Sequence, residues 1–290
     1  MKQVILIALL TVITASCENN KKESTPKTNT METTPQLSNK EKSAALLESL
    51  ENGDQSTIAY INPNKYIQHN PMVGDGLEGF GAIMKNAPEG GFKAKVVRSF
   101  EDGNYTFHHT EYDFFGPKVG FDIFRFEDGL IVEHWDNLAE LAPANPSGRT
   151  QTDGATSSSS AEQTQVNKAL VEDFLNTVLV NGRFDTMANY FDGDNYLQHN
   201  TMIGDGLSGL GKALEEMAKN GVTMVYDKVH IVLGEGNFVL AVSEGSFAGA
   251  HTSFYDLFRI ENGKIAEHWD VIETILPASE HKNNNGKFGF

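Results

Sequence analysis

Tyr66-Ile67-Gln68-His69-Asn70, followed by Met72 and Gly74-Asp75-Gly76-Leu77, returns later in the chain as Tyr196-Leu197-Gln198-His199-Asn200, Met202 and Gly204-Asp205-Gly206-Leu207. Further on, Glu133-His134-Trp135-Asp136 returns as Glu267-His268-Trp269-Asp270. His69 to His199 is an offset of 130 residues and Trp135 to Trp269 one of 134. Two well-separated polar motifs recurring in the same order identify a duplicated domain, and a repeat this long excludes short-period solenoids.

The chain has 290 residues, 39% of them hydrophobic, which suits two globular domains of ordinary size. Its formal charge is -16, from 39 acidic and 23 basic residues. A nucleic-acid interface needs a basic footprint, and this composition supplies none. The acidity speaks for solubility and says little about a substrate.

Lys2 opens a short basic region, Val4 to Ile13 is apolar, and Thr14-Ala15-Ser16 is small ahead of Cys17, the only cysteine. Ten apolar-leaning residues are too few to span a bilayer, so residues 1–16 read as a secretion signal. Small residues before the cysteine resemble a bacterial lipoprotein signal. That resemblance implies lipidation of Cys17 and a lipid-anchored protein of the cell envelope, periplasmic or at the outer membrane; plain secretion is the alternative. Residues 17–39 are rich in Lys, Thr, Asn, Pro and Glu and read as a flexible tether. The two domains are expected at 40–145 and 163–290. The segment between them (146–162), with Gly148, Gly154 and Ser157-Ser158-Ser159-Ser160, reads as a linker.

Each unit opens with helical periodicity, clear at Val166, Leu170, Val171, Phe174, Leu175 and Val178 and weaker at Ala44, Leu47 and Leu50. Gly53 and Gly182 stop these helices. A short helix follows each Gly-Asp-Gly, with Gly79 and Gly209 inside it, where either close packing or a pocket wall would account for a disfavoured residue. The rest alternates as strands. Glu127-Asp128-Gly129 and Glu261-Asn262-Gly263 are hairpin turns leading into the Glu-His-Trp-Asp strands. Helices followed by an antiparallel meander make an α+β pattern.

Tyr-x-Gln-His-Asn, Gly-Asp-Gly-Leu, Asp-x-Phe-Arg, Asn/Asp-Gly and Glu-His-Trp-Asp together resemble the SnoaL-like polyketide cyclases, within the wider group of nuclear transport factor 2 and ketosteroid isomerase. The resemblance covers about residues 40–145 and 163–290. It implies two tandem cone-shaped α+β barrels, N-terminal helices packed on a curved antiparallel sheet, mated as a pseudo-dimer within one chain. It also implies proton abstraction next to a carbonyl by an acidic residue, with Asp136 and Asp270 in that role.

On the last strand of each half, Glu133 shares a face with Trp135 and His134 with Asp136, as Glu267 does with Trp269 and His268 with Asp270. The sequence does not choose which pair faces a pocket. His69, His199, His134 and His268 are candidate catalytic groups, able to polarise a substrate carbonyl. Tyr66, Tyr196, Trp135, Trp269, His109, Arg125 and Arg259 are candidates for a substrate pocket. Each has a structural alternative: carboxylates paired with Arg125 and Arg259, histidines that hold the turn, and tryptophans in the core or an interface. Neither His-x-His nor His-x-x-x-His spacing is present to suggest a metal, and no nucleotide loop to suggest a cofactor. The expected function is cofactor-independent lyase- or isomerase-type chemistry on a small carbonyl compound through an enolate. The alternative is a non-catalytic, lipid-anchored binding or scaffold protein.

Overall fold

The computed structural model describes residues 36–88 and 91–290. The expected signal, Cys17 and nearly all of the tether lie outside the described residues. No helix among them is long and apolar enough to cross a membrane.

Helix α1 (Asn39–Asn52) starts where the Ser38 side chain accepts from the Glu41 amide while the Glu41 carboxylate accepts from Ser38, a capping box. It ends at Gly53 in the left-handed region. Strand β1 (Ile67–Gln68) and helix α2 (Gly76–Lys85) follow. A four-stranded meander then runs through β2 (Lys93–Asp102), β3 (Tyr105–Asp113), β4 (Pro117–Glu127) and β5 (Leu130–Glu140). The second half repeats this as α3 (Thr164–Phe174), β6 (Leu197–Gln198), α4 (Gly206–Lys219), β7 (Met224–Glu235), β8 (Phe238–Phe247), β9 (Ala250–Glu261) and β10 (Lys264–Thr274). Helix α3 continues into a π-helical turn, Leu175–Val180, which keeps Leu175 and Val178 buried. Asp128-Gly129 and Asn262-Gly263 take positive φ at both positions, as a tight hairpin turn demands.

The strand orders are β1-β5-β4-β3-β2 and β6-β10-β9-β8-β7, antiparallel except for the short parallel β1–β5 and β6–β10 pairs. This corrects the expected barrel. Among the described residues β2 pairs only with β3 and β7 only with β8, so each sheet keeps two open edges and neither closes into a cone. The α+β, two-domain architecture stands; the cavities lie between each sheet and its helices.

The layers run helix, sheet, sheet, helix. One face of each sheet carries a core under its own helices: Leu46, Leu47, Tyr66 and Phe124 in the first half, Val171, Phe174, Tyr196 and Phe258 in the second. The opposite faces meet in one shared core that joins Phe100, Phe121 and Trp135 to Phe238, Tyr255 and Trp269. Strand alternation therefore settles the parity left open by the sequence. Glu133, Trp135 and Asn137 face the partner sheet, where the Asn137 amide donates to the carbonyls of Ser253 (2.9 Å) and Val271 (3.0 Å). His134 and Asp136 face the helices.

The chain segments after β5 and β10 cross reciprocally onto the opposite half. Asn145 Nδ2 donates to the carbonyls of Gln198 (2.6 Å) and Ile203 (2.9 Å). Asn283 Nδ2 donates to those of Asn70 (2.7 Å) and Val73 (2.9 Å). The Ser-rich connector is pinned as well: Trp269 Nε1 donates to the Asp153 carbonyl and Arg98 Nε to that of Ala155.

Candidate functional site

Under the helices of the first half lies a cavity of about 680 Å³. Its polar wall comes from three places in the sequence. Extended backbone around β1 turns Tyr66, Gln68 and Asn70 inward and His69 outward. Strand β4 supplies Asp122. Strand β5 supplies His134 and Asp136. Asp122 sits directly across the ladder from Asp136, and Phe124 across from His134, which brings the three polar groups onto one patch.

Asp122 has both oxygens engaged: Tyr112 Oη donates to Oδ2 at 2.5 Å, and His134 Nε2 lies 3.2 Å from Oδ1. His134 Nδ1 faces the Gln68 amide, 3.2 Å from Oε1. Asn70 Nδ2 donates to Asp136 Oδ2 at 2.9 Å. Asp136 Oδ1 is buried with no hydrogen-bond partner. Burial, only partly offset by His134, raises the Asp122 carboxyl above its ordinary range. Burial together with the charges of Asp136, Asp122 and Asp75 holds the Tyr66 phenol far above its ordinary value, so it remains a proton donor.

The second half repeats the patch in a larger cavity of about 1100 Å³. Asn200 Nδ2 donates to Asp270 Oδ2 at 2.7 Å, and His268 lies between Asp256 Oδ1 and Gln198 Oε1, 3.0 Å from each. Tyr226 Oη donates to Asp256 at 3.2 Å. Burial would lower His268, but the hydrogen bond to Asp256 and the charges of Asp270 and Asp256 outweigh it and raise the imidazole. Burial raises Asp270. The chain after β5 contributes Pro146, Ser147 and Gln151 to this cavity, while Glu273 and Lys282 of the second half line the first. Each cavity thus has walls from both halves.

The structure brings together Asp136, His134 and Tyr66, and likewise Asp270, His268 and Tyr196. It places the other candidates on the sheet–sheet side. His69 stacks on Trp135 (ring centroids 4.6 Å apart), with Nε2 2.9 Å from Glu133 Oε1, and Arg125 Nε donates to Glu133 Oε2 at 2.6 Å. His199, Trp269, Glu267 and Arg259 repeat this chain of contacts. His109 is buried against Phe121 beside Arg98, and burial first, then the arginine charge, depress it strongly. His108 points to α1, where it meets Ser43 Oγ, and burial lowers it to about 3.

Asp122, His134 and Asp136 each bring a ligand atom within 4.8 Å of the other two, as do Asp256, His268 and Asp270. These are the groups that could hold a divalent ion. The set is assembled across two strands, so no local ligand spacing announces it.

Sequence reasoning missed Asp122 and Asp256 as site residues, and with them Tyr112, Gln68, Asn70 and the crossing tails. Two signals were present. Asp122 and Asp256 are retained mid-strand among aromatic residues. Asn145-Pro146-Ser147-Gly148-Arg149 is echoed by Asn283-Asn284-Asn285-Gly286-Lys287, a third repeat at an offset of 138.

No family model and no curated protein matches the chain. Solved structures do. An NTF2-like protein of unknown function from Cytophaga hutchinsonii is 18% identical, covers 36% of this chain and 93% of its own, and has a TM-score of 0.33. A SnoaL-like polyketide cyclase from Agrobacterium tumefaciens is 14% identical over 37% of this chain and 91% of its own, at a TM-score of 0.30. An LEH-like epoxide hydrolase from M. tuberculosis is 18% identical over 35% and 82%, at 0.30. The relationship is a distant structural one, at low identity.

Proposed function

We propose that each half binds a small carbonyl compound in its cavity and carries out cofactor-independent acid–base chemistry through an enolate, of the lyase or isomerase type. The observation that carries this reading is the buried, unpartnered oxygen of Asp136. A carboxylate oxygen without a donor, facing a cavity that can hold a small molecule, is a base with its lone pairs available. Asn70 fixes the other oxygen and so aims the free one. Tyr66, kept protonated, donates to the oxygen on which negative charge develops. His134 is held on the same wall between Gln68 and Asp122. Asp270, Tyr196 and His268 take these roles in the second half.

The test is hydrogen–deuterium exchange at the α-carbons of small ketones and aldehydes in D2O, followed by proton NMR. General-base catalysis contributes about 10²–10⁴-fold, so exchange should fall by that order in an Asp136→Asn, Asp270→Asn double variant that stays folded. Undiminished exchange in that variant removes both aspartates from the role. A protein that only binds would retain a ligand in the double variant and show no exchange in the unaltered chain.

We further propose that Cys17 carries a lipid anchor and that residues 17–39 tether the domains to the envelope. Labelling with a fatty-acid analogue should be lost in Cys17→Ser.

A further inference from the structure

Asp122 and Asp256 hold corresponding places: each lies across the ladder from the aspartate of a Glu-His-Trp-Asp strand. Each also accepts a hydrogen bond from a buried tyrosine, but the two tyrosines do not correspond. Tyr112 comes from β3 and donates to Asp122 Oδ2 at 2.5 Å. Tyr226 comes from β7, one strand further away, and donates to Asp256 Oδ2 at 3.2 Å. In the first half Tyr112 pairs with Ala94; in the second Tyr226 pairs with Gly245. Large and small residues have traded places across one rung. A third position follows them. A Cβ at Gly120 on β4 would come within 3.3 Å of the Tyr112 ring, whereas its counterpart Phe254 stacks on the Tyr226 ring with centroids 4.2 Å apart. Ala94, Tyr112 and Gly120 thus stand against Tyr226, Gly245 and Phe254, and both sets bring a phenol to the same carboxylate at a cavity wall.

Other buried polar contacts on these strands have not been kept. His108, bonded to Ser43, is matched by Ala241, and His109, bonded to Arg98, by Val242. A buried carboxylate needs a donor, and for folding alone an amide would serve as well. The phenol has instead been retained through a change of strand and of two neighbours. Its consequence is geometric: with Oδ2 engaged, Oδ1 of Asp122 lies 3.2 Å from His134 Nε2, and Oδ1 of Asp256 lies 3.0 Å from His268 Nε2.

We propose that a tyrosine hydroxyl on this aspartate is a required part of each site, and that Tyr112 and Tyr226 are its positioning residues. Each holds its carboxylate, and through it the imidazole, in one orientation on the cavity wall. Either of two strands can supply the hydroxyl, so the requirement is for the group and not for the position. For the rate the inference rests on the acid–base reading above; the placing of the imidazole is measured without turnover.

The experiment moves the tyrosine. Ala94→Tyr, Tyr112→Gly and Gly120→Phe together give the first half the second half's arrangement. The reverse is barred, because a Cβ at Gly245 would run into the Val225 carbonyl oxygen. Ketone exchange is followed with Asp270→Asn in every form, so that only the first cavity reports. Tyr112→Phe should lower kcat on the order of tenfold or more with KM little changed, and the triple exchange should restore most of it. Long-range proton–nitrogen NMR of the His134 ring at one fixed pH is the second readout. The Nε2 signal should move in Tyr112→Phe and return in the triple exchange. Tyr226→Phe, read at His268, decides the matter if the triple exchange does not fold. A ring signal unmoved in the Phe variants, or one that the relocated tyrosine does not bring back, overturns the proposal. An unchanged rate in a chain that does exchange ketone overturns it as well. If no form exchanges ketone while the ring signals move and return, the catalytic reading fails and the positioning role stands.

Discussion

His69 Nε2 lies 2.9 Å from Glu133 Oε1 on the side of the sheet that faces the other half, not on the side that faces the cavity. The ring nitrogen at its other end, Nδ1, meets the Gly286 carbonyl of the crossing tail at 2.6 Å. This histidine therefore links three elements: the β1 region, β5 and the tail. His199 does the same with Glu267 and the Thr150 carbonyl. Because both ends of each ring are engaged among buried groups, His69→Ala and His199→Ala should each destabilise the fold. Leaving one oxygen of Glu133 or Glu267 without its histidine, while Arg125 or Arg259 still holds the other, costs about 1–3 kcal/mol. Urea unfolding measures the loss. Ketone exchange per folded molecule should change far less than in the Asp136→Asn, Asp270→Asn variant, which separates an interface role from a cavity role.

The same chain of contacts predicts an acid limit. Burial would raise Glu267, but His199 and Arg259 outweigh it and hold the carboxyl below its ordinary value of 4.5; Glu133 is lowered in the same way by His69 and Arg125. A carboxyl depressed in the folded state stabilises above its unfolded value and loses that contribution as pH falls through the folded one. The urea midpoint should therefore drop as pH is taken down from about 4.5. Arg259→Met should flatten that dependence, since it removes part of what lowers Glu267. An unaltered slope in Arg259→Met would assign the acid limit to other carboxylates.

Much of this fold was legible because the repeat reports on itself. Glu-His-Trp-Asp marks the last strand twice, and Asp128-Gly129 and Asn262-Gly263 mark the hairpins by chemistry that needs positive φ. The parity on β5 was legible as two alternatives only. Choosing between them required knowing that Trp135 meets the other sheet, and that is a contact between halves of the chain. Asp122 was hidden for a related reason: it joins Asp136 across a ladder, 14 residues away in sequence, and register is not a local property. The barrel expectation failed at the edges. A meander reads the same whether or not its first and last strands meet, and here β2 and the two-residue β1 stay apart. The crossing tails were obscured by their polarity: Asn145 and Asn283 look like loop residues, yet their amides bond carbonyls of the opposite half.

Asn283 offers a direct test of that crossing. Its side-chain amide satisfies two carbonyls, of Asn70 and Val73, and the residue is 6% exposed. Asn283→Ala should leave both without that donor, at about 1–3 kcal/mol for each buried group left unsatisfied. Backbone hydrogen exchange should rise in the tail and around residues 68–75, and the region around Gln198 should be unaffected. Asn145→Ala should produce the reciprocal pattern. Exchange that rises equally in both halves would mean the tails are not independently docked.

Gly79 and Gly209 predict an unusually severe effect from a single methyl. A Cβ at Gly79 would lie 1.7 Å from the Gly74 carbonyl oxygen, and one at Gly209 2.3 Å from that of Gly204. The obstruction is backbone, so no rotamer change relieves it. Overpacking costs about 1–3 kcal/mol even where side chains can shift, and these positions should exceed that range. Gly81→Ala, on the same helix with nothing within 4 Å of its Cβ, should by contrast be neutral or mildly stabilising through helix propensity. Comparing Gly79→Ala with Gly81→Ala by thermal unfolding isolates close approach of α2 to the turn from helix propensity.

His268 lies between Asp256 and Gln198, and although burial opposes its charge, the Asp256 hydrogen bond and the charges of Asp270 and Asp256 raise it above 6.5. A group raised in the folded state stabilises fully below its unfolded value and loses that contribution as pH rises through the folded one. Stability should therefore decline from pH 6.5 upward until the His268 ring has titrated. Asp256→Asn should lower the ring's own titration and shorten that decline. Proton NMR of the His268 ring reads the titration directly, and urea unfolding across the same range reads its consequence. A ring that titrates at or below 6.5 in the intact protein would leave the second cavity without its cation, and Asp270 with no positive partner to offset its burial.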